Sequence, residues 1–326
     1  MSRPPMDMHA RGLPKRGLIE MVAGASLISL TSVFVKLAHV GPSVSAFYRM
    51  AIGGVLLFTF LLIARRWRPL RARQLPWMLV PAAAFAADLL MWHRSILYVG
   101  PGLATLIGNF QVFLMALAGW LLYRERLGLN FVVGVILSLA GLYLLVGLDW
   151  GAMGGDFRLG VVLGIGSGVA YAVYLLATRH AQRSGELRVP TMQLLCVSTL
   201  LSAIVLGGAV VVEGESFAIP DAQTAWSLAG LAVIGQIVGW VLLLRAIPQL
   251  PASLVGLLLL LQPALSFVLD VLLFDRATSG LDWLGVGLAL VGIFMGSWRP
   301  ARRAEGAETE ASLAADAARE TRGQSG

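Results

Sequence analysis

The chain has 326 residues, 57% of them hydrophobic and only 13% charged. That balance excludes an ordinary soluble globular protein and fits a chain whose solvent is the lipid bilayer. The net charge of +7 does not point to nucleic acid, because the basic residues occupy alternate connections rather than one patch.

Residues 1–16 form a basic N-terminal segment carrying Arg3, Arg11, Lys15 and Arg16. The apolar run that follows is long and lacks a small-x-small cleavage site, so it reads as a retained span rather than a signal peptide. Apolar runs of about 20 residues can cross a hydrocarbon core of about 30 Å. The chain offers ten: 17–37, 44–64, 76–97, 101–122, 128–147, 158–178, 190–212, 224–246, 251–274 and 281–298. Their connections are too short to hold a soluble domain.

Arg65, Arg66, Arg68, Arg71 and Arg73 fill the connection between spans two and three. Arg124 and Arg126 separate spans four and five, and Arg179, Arg183 and Arg188 separate six and seven. Arg299, Arg302 and Arg303 follow span ten. The alternate connections hold Asp149, Asp156, Glu213, Glu215, Asp221, Asp275 and Asp282. This is the positive-inside pattern, and it predicts that both termini are cytoplasmic. The tail 299–326 is rich in Ala, Glu and Arg without an apolar stripe, and reads as a solvated end.

Polar residues inside spans are costly, so each is a candidate for function. In chain order, Glu20 begins span one, where a helix N-terminus favours an acid. Lys36 and Arg49 lie near one membrane face, and headgroup anchoring is the expectation for both. Asp88 falls near the middle of span three, as a substrate contact, a proton-titrated switch, or a carboxyl tied to a neighbouring helix. Trp92 and Ser95 share its face. His93 reads as a packed imidazole. Arg94 reads as a residue that snorkels or caps a carbonyl. Asn109 and Gln111 interrupt span four. Gly160, Gly164 and Gly168 mark one face of span six for close helix packing. Gly164 to Gly168 looks faintly like a nucleophile turn around Ser167, but the Gly two residues before the serine is missing. Cys196, the single cysteine, excludes an intrachain disulfide and reads as a small packing residue. Gln236 and Trp240 lie four apart in span eight, and Gln262 precedes a helix-kinking Pro263 in span nine. Asp270 is near a span end and reads as wetted. The candidate solute-contact set is therefore Asp88, Trp92, Asn109, Gln111, Gln236, Trp240 and Gln262. The competing role for its amides is hydrogen-bond glue between helices.

The chain repeats itself at an interval of 151. Arg94 maps to Arg245, Gln111 to Gln262, Gly134 to Gly285 and Gly141 to Gly292. From Arg94 to Gly141, 13 of 48 positions match, about half of them leucine, so the rarer Arg and Gln matches carry the duplication. The interval holds five spans, and two copies of an odd-span unit must face opposite ways in the bilayer. The expected fold is an all-α membrane protein of about ten transmembrane helices. Two inverted five-helix repeats, 17–147 and 158–298, are joined by a connection at 148–157 that should be periplasmic.

Leu121 through Gly141 lies within LLYRERLGLNFVVGVILSLAGLYL, with Glu125-Arg126-Leu127 closing span four and Gly134 and Gly141 in span five. The second half answers with Phe274-Asp275-Arg276, Gly285 and Gly292, its acid one residue out of register. With the ten-span plan and the repeat, the chain resembles the EamA-type members of the drug/metabolite transporter superfamily. The resemblance covers about residues 17–298. It implies a central cavity lined mainly by spans three, four, eight and nine, and movement of amino acids, other small metabolites or drugs.

The reading that follows is a secondary transporter in the inner membrane. It would move a small organic solute, in the export direction, by alternating access. Lipid is its solvent, and protons are a candidate coupling ion. No Walker A motif, H-E-x-x-H or nucleophile–base spacing is present, so neither ATP use nor catalysis is expected. No cofactor or metal is expected, and the oligomeric state is left open. The rivals are a lipid-modifying intramembrane enzyme, a lipid-linked sugar flippase and a non-transporting scaffold.

Overall fold

The computed structural model describes residues 15–123, 128–147, 154–183, 189–246, 249–250, 255 and 258–297. The N-terminal basic residues up to 14, Glu125-Arg126-Leu127, the 148–153 stretch and the tail from 298 lie outside the described residues. In chain order the helices are α1 (Lys15–Leu37), α2 (Pro42–Ile63), α3 (Leu75–Val99), α4 (Pro101–Gly108), α5 (Gln111–Tyr123) and α6 (Leu129–Leu142). There follow α7 (Gly155–Arg183), α8 (Thr191–Val212), α9 (Ala222–Gly230), α10 (Trp240–Ala246), α11 (Leu261–Phe274) and α12 (Gly280–Ser297). A π-helical stretch, Leu231–Gly239, joins α9 to α10.

Among the described residues, six segments are long and apolar enough to cross a bilayer: Lys15–Leu37, Pro42–Ile63, Ala72–Val99, Gly155–Thr178, Met192–Val212 and Ala222–Leu243. Four shorter apolar helices, Pro101–Met115, Leu129–Leu145, Leu261–Phe274 and Gly280–Gly296, lie within the remaining apolar runs. The outside of the bundle is apolar. Ile63 and Val212, for example, are 79% and 87% exposed. Water would penalise such a surface, whereas acyl chains accept it, and the helices satisfy their own backbone polarity.

Spans four and nine are not continuous helices, and the two interruptions stand in the repeat register. At Phe110, Val112 and Phe113 the backbone N–H groups bond three residues back, to Ile107, Asn109 and Phe110. The Asn109 amide donates to the Thr105 carbonyl at 2.8 Å, covering an acceptor at the break. In span nine, Leu260 ends one helical turn and α11 restarts at Leu261. Pro263 has no N–H to continue the ladder and its ring excludes the carbonyl four residues back.

Small residues seat the helices on one another. A Cβ on Gly134 would stand 2.5 Å from the Gly292 carbonyl oxygen and 2.6 Å from the Gly296 nitrogen. Gly141 meets Gly285 and Ala289, and the Ser138 hydroxyl donates to the Ala289 carbonyl at 3.1 Å. Rising numbers on α6 meet falling numbers on α12, so these two helices pack antiparallel. Along α7, Gly160 rests on Tyr98 and Val99, Gly164 on Ser95 and Ile107, and Gly168 on the Gly108 carbonyl. Cys196 is buried between α8 and α2, with its thiol 3.7 Å from the Gly54 carbonyl.

Charged residues tie the ends of the helices. At the Val99 end, Arg94 donates to Leu90 O at 2.9 Å and pairs with Glu213 at 2.6 Å, fulfilling its capping role and adding an ion pair. His39 contacts Asp221 at 2.7 Å. Asp221 also caps α9 by accepting from the Thr224 N–H at 2.7 Å. That backbone bond and the His39 contact hold the Asp221 carboxyl down at about 2. At the Lys15 end, Arg245 pairs with Glu20 at 3.1 Å, alongside Arg16.

Asp270 corrects the expectation of a wetted acid. It is 3% exposed, accepts from Gly102 N at 3.1 Å and pairs with Arg276 at 3.2 Å. Arg276 also donates to the Val99 carbonyl at 2.7 Å. The turn that brings these groups together runs through Gly100 at φ +87, a conformation strained for any side chain. A Cβ there would lie 2.6 Å from Asp270 Oδ2.

Candidate functional site

A cavity of about 360 Å³ lies at mid-height among α1, α2, α3, α4, α5, α7, α10 and α11. Six of the seven candidate residues line it: Asp88 and Trp92 from α3, Asn109 and Gln111 from the interruption in span four, Trp240 from α10 and Gln262 from α11. The breaks explain part of this. They place Gln111 and Gln262 at the first turn of a new helix segment, where the chain turns its polar groups inward. Neither glutamine amide has a hydrogen-bond partner among the described residues.

Gln236 does not line the cavity. It is fully buried, packs on Gly53 of α2, and donates to the Thr199 hydroxyl of α8 at 3.0 Å. The glue role holds for this amide. The π-helical stretch that contains it widens the turn just before Trp240, which does face the cavity.

Asp88 is 9% exposed and its Oδ1 accepts from the Ser167 hydroxyl at 2.5 Å. Ser167 therefore serves the site as a donor that holds a carboxyl, a use that the search for a nucleophile overlooked. Phe85 stacks on Tyr174 with centroids 4.7 Å apart and carries Tyr171 beside it at 6.4 Å, walling the cavity below Asp88. Ser29 and Ser266 close the α1 side, where the Ser266 hydroxyl donates to the Ser29 carbonyl at 3.2 Å. Ser95, on the Asp88 face by spacing, points away and donates to the Gly160 carbonyl at 2.7 Å. His93 is buried, 2.8 Å from the Ser45 hydroxyl.

Arg49 overturns its reading as a headgroup anchor. It is 5% exposed, lines the cavity, and its guanidinium lies 5.6 Å from the centre of the Trp92 ring. Stacking on an aromatic face draws a weakly hydrated guanidinium inward. The signal was present in the sequence as a charge several residues inside an apolar run. Its closeness to the span end hid it.

The duplication is chemically uneven at this site. Position 239, the counterpart of Asp88, is a glycine whose carbonyl stands 3.1 Å from a Cβ on Gly24. The carboxyl that Asp88 offers to Ser167 thus has no equivalent at position 239, where helix packs on helix.

The chain is 26% identical over 296 residues to the threonine/homoserine exporter RhtA of Salmonella typhimurium (strain SL1344), covering 88% of this chain and 92% of that one. It is 29% identical over 167 residues to an uncharacterized transporter of Haemophilus influenzae, a match that takes in 50% of this chain and only about half, 54%, of that relative. A solved crystal structure superposes on 86% of this chain and 97% of its own, with a TM-score of 0.60 at 20% identity, which is a likeness of fold. The model of the EamA-like transporter family matches twice, at residues 15–147 and 158–298, and the chain belongs to that family.

Proposed function

We propose that the cavity is the solute site of a secondary transporter working by alternating access between two inverted five-span halves. The single observation that carries this reading is that repeat-related residues line one hollow. Leu89 and Trp240, Trp92 and Leu243, Gly108 and Leu259, and Gln111 and Gln262 are each 151 apart, and all eight face the cavity. A pseudo-twofold axis through the site produces such pairing. The α6–α12 seam obeys the same rule. Gly134 against Gly292 becomes Gly141 against Gly285 under the 151 shift, while Ser138 meets its own counterpart Ala289. A symmetry operator that sends an antiparallel pair into itself inverts the halves relative to the membrane.

Asp270 with Arg276 and Gly102, and Gly102 on Phe267, tie α4 to α11 at the Val99 end, and on this reading they are the contacts that close that side. Parting these contacts while the Lys15 end closes would expose the cavity to the other side. The substrate class is a small polar organic solute. The exporter name of the Salmonella relative supports outward movement and an amino-acid-like cargo. Reconstituted protein should catalyse saturable counterflow of at least one member of a panel of amino acids, nucleosides, sugars and organic cations. Flux no greater than that of protein-free liposomes, across the whole panel, would remove the reading.

The same proposal sets the orientation: inner membrane, termini in the cytoplasm, Val99 end outside. Reporter fusions after Arg73 and Arg303 should be active on the cytoplasmic side and fusions after Gly151 on the outer side. The reverse pattern would turn the molecule over.

A further inference from the structure

Arg49 is a cavity residue that makes no salt-bridge contact among the described residues. It stands two turns into α2 and is 95% withdrawn from the surface, being 5% exposed. Its Nε is buried and meets no acceptor among the described residues. Asp88 lines the same cavity and attracts Arg49 across it, yet its Oδ1 is taken by Ser167 and no direct salt bridge joins the two side chains. Other arginines in the bundle behave differently. Arg94, Arg245 and Arg276 each pair with a carboxylate, on Glu213, Glu20 and Asp270.

A guanidinium stays charged and offers donors in a planar fork that matches a carboxylate edge. Leaving such a charge buried without an anion is costly, and hydrocarbon supplies no acceptor. The face of Trp92 supports the guanidinium plane and fixes its tilt, but leaves the N–H edge unused. A hollow of about 360 Å³ thus holds one cation and one acid that do not pair with each other. A neutral solute would leave both unanswered, and a phosphate would put excess negative charge beside Asp88. A solute carrying both charges answers both.

We propose that Arg49 is the carboxylate receptor of the cavity, holding the anionic end of a zwitterionic solute whose ammonium end faces Asp88. The assignment rests on the reading of this cavity as a solute site. Trp92 acts as a positioning residue for the guanidinium, and Gln111 and Gln262 are left to meet the solute's side chain.

The test measures thermal stabilisation of the purified full-length chain by the proteinogenic amino acids and by their carboxamides, at about pH 6, where both keep an ammonium group. At least one amino acid should bind the unaltered protein about tenfold or more tighter than its carboxamide. Arg49→Gln should bring that amino acid down to the carboxamide's affinity while weakening the carboxamide far less, and Arg49→Lys should fall between. A purely structural Arg49 would weaken both ligands alike, and that result overturns the proposal. So does equal binding of acid and amide by the unaltered protein, a comparison that needs no variant to fold. Failure of every amino acid to bind also overturns it. In that case counterflow of a nucleoside, sugar or cation would preserve the transporter reading, and no flux at all would remove both.

Discussion

Asp88→Asn is expected to cut solute flux in proteoliposomes by about tenfold or more, at equal expression and reconstitution. The substitution keeps the volume, and its amide oxygen can still accept from Ser167, whose hydroxyl now stands 2.5 Å from Oδ1. What it removes is the negative charge and the titratable proton. A charge-assisted hydrogen bond is roughly twice as strong as a neutral one, so loss at a solute contact shows directly in flux. If Asp88 also couples protons, the variant's flux will lose its dependence on pH. Asp88→Ala should be worse, because it strands the Ser167 hydroxyl as well. Unchanged flux with an unchanged pH profile in the Asn variant would return Asp88 to a purely structural role.

The second large effect is on assembly. Gly134→Leu should lower the melting temperature sharply or abolish folded protein in detergent. The first added carbon meets backbone atoms of α12, at 2.5 Å from Gly292 O and 2.6 Å from Gly296 N, and backbone cannot rotate away. Overpacking costs about 1–3 kcal/mol where side chains can adjust, and here whole helices must part. Gly287→Leu is the control. It lies on α12, the helix that packs against α6, and a Cβ there meets nothing within 4 Å. That variant should melt like the parent or slightly higher, since leucine is the better helix former. Equal melting of the two variants would mean that the α6–α12 seam does not hold the molecule together.

Much of the architecture was legible along the chain. Hydropathy marked the apolar runs, and the membrane forces a helix on each because lipid offers no backbone partners. Asp88 stood out because a carboxyl at the middle of an apolar run has no local excuse. The Gln111–Gln262 match picked out two of the three cavity amides before any helix was packed. The glycines of α7 and α12 announced close contacts by their spacing alone.

Other assignments depended on what lies across the gap from a residue. Gln236 and Gln262 are the same amide in similar apolar surroundings. Only packing distinguishes them, since one meets Thr199 and the other opens on the cavity. Arg49 and Asp270 sit near span ends, where wetting is the default, and each was drawn inward by a partner far away in sequence. For Arg49 that partner is the Trp92 ring, and for Asp270 it is the Gly102 N–H, joined by Arg276 from six residues on. Ser167 acquired its use from Asp88, 79 residues away. Composition and periodicity thus determined that this chain is a helical membrane protein with polar groups at mid-depth, and its likeness to a family added transport. Which of those groups meet was decided by tertiary contact, because a buried charge or amide takes its role from the nearest opposite atom in space.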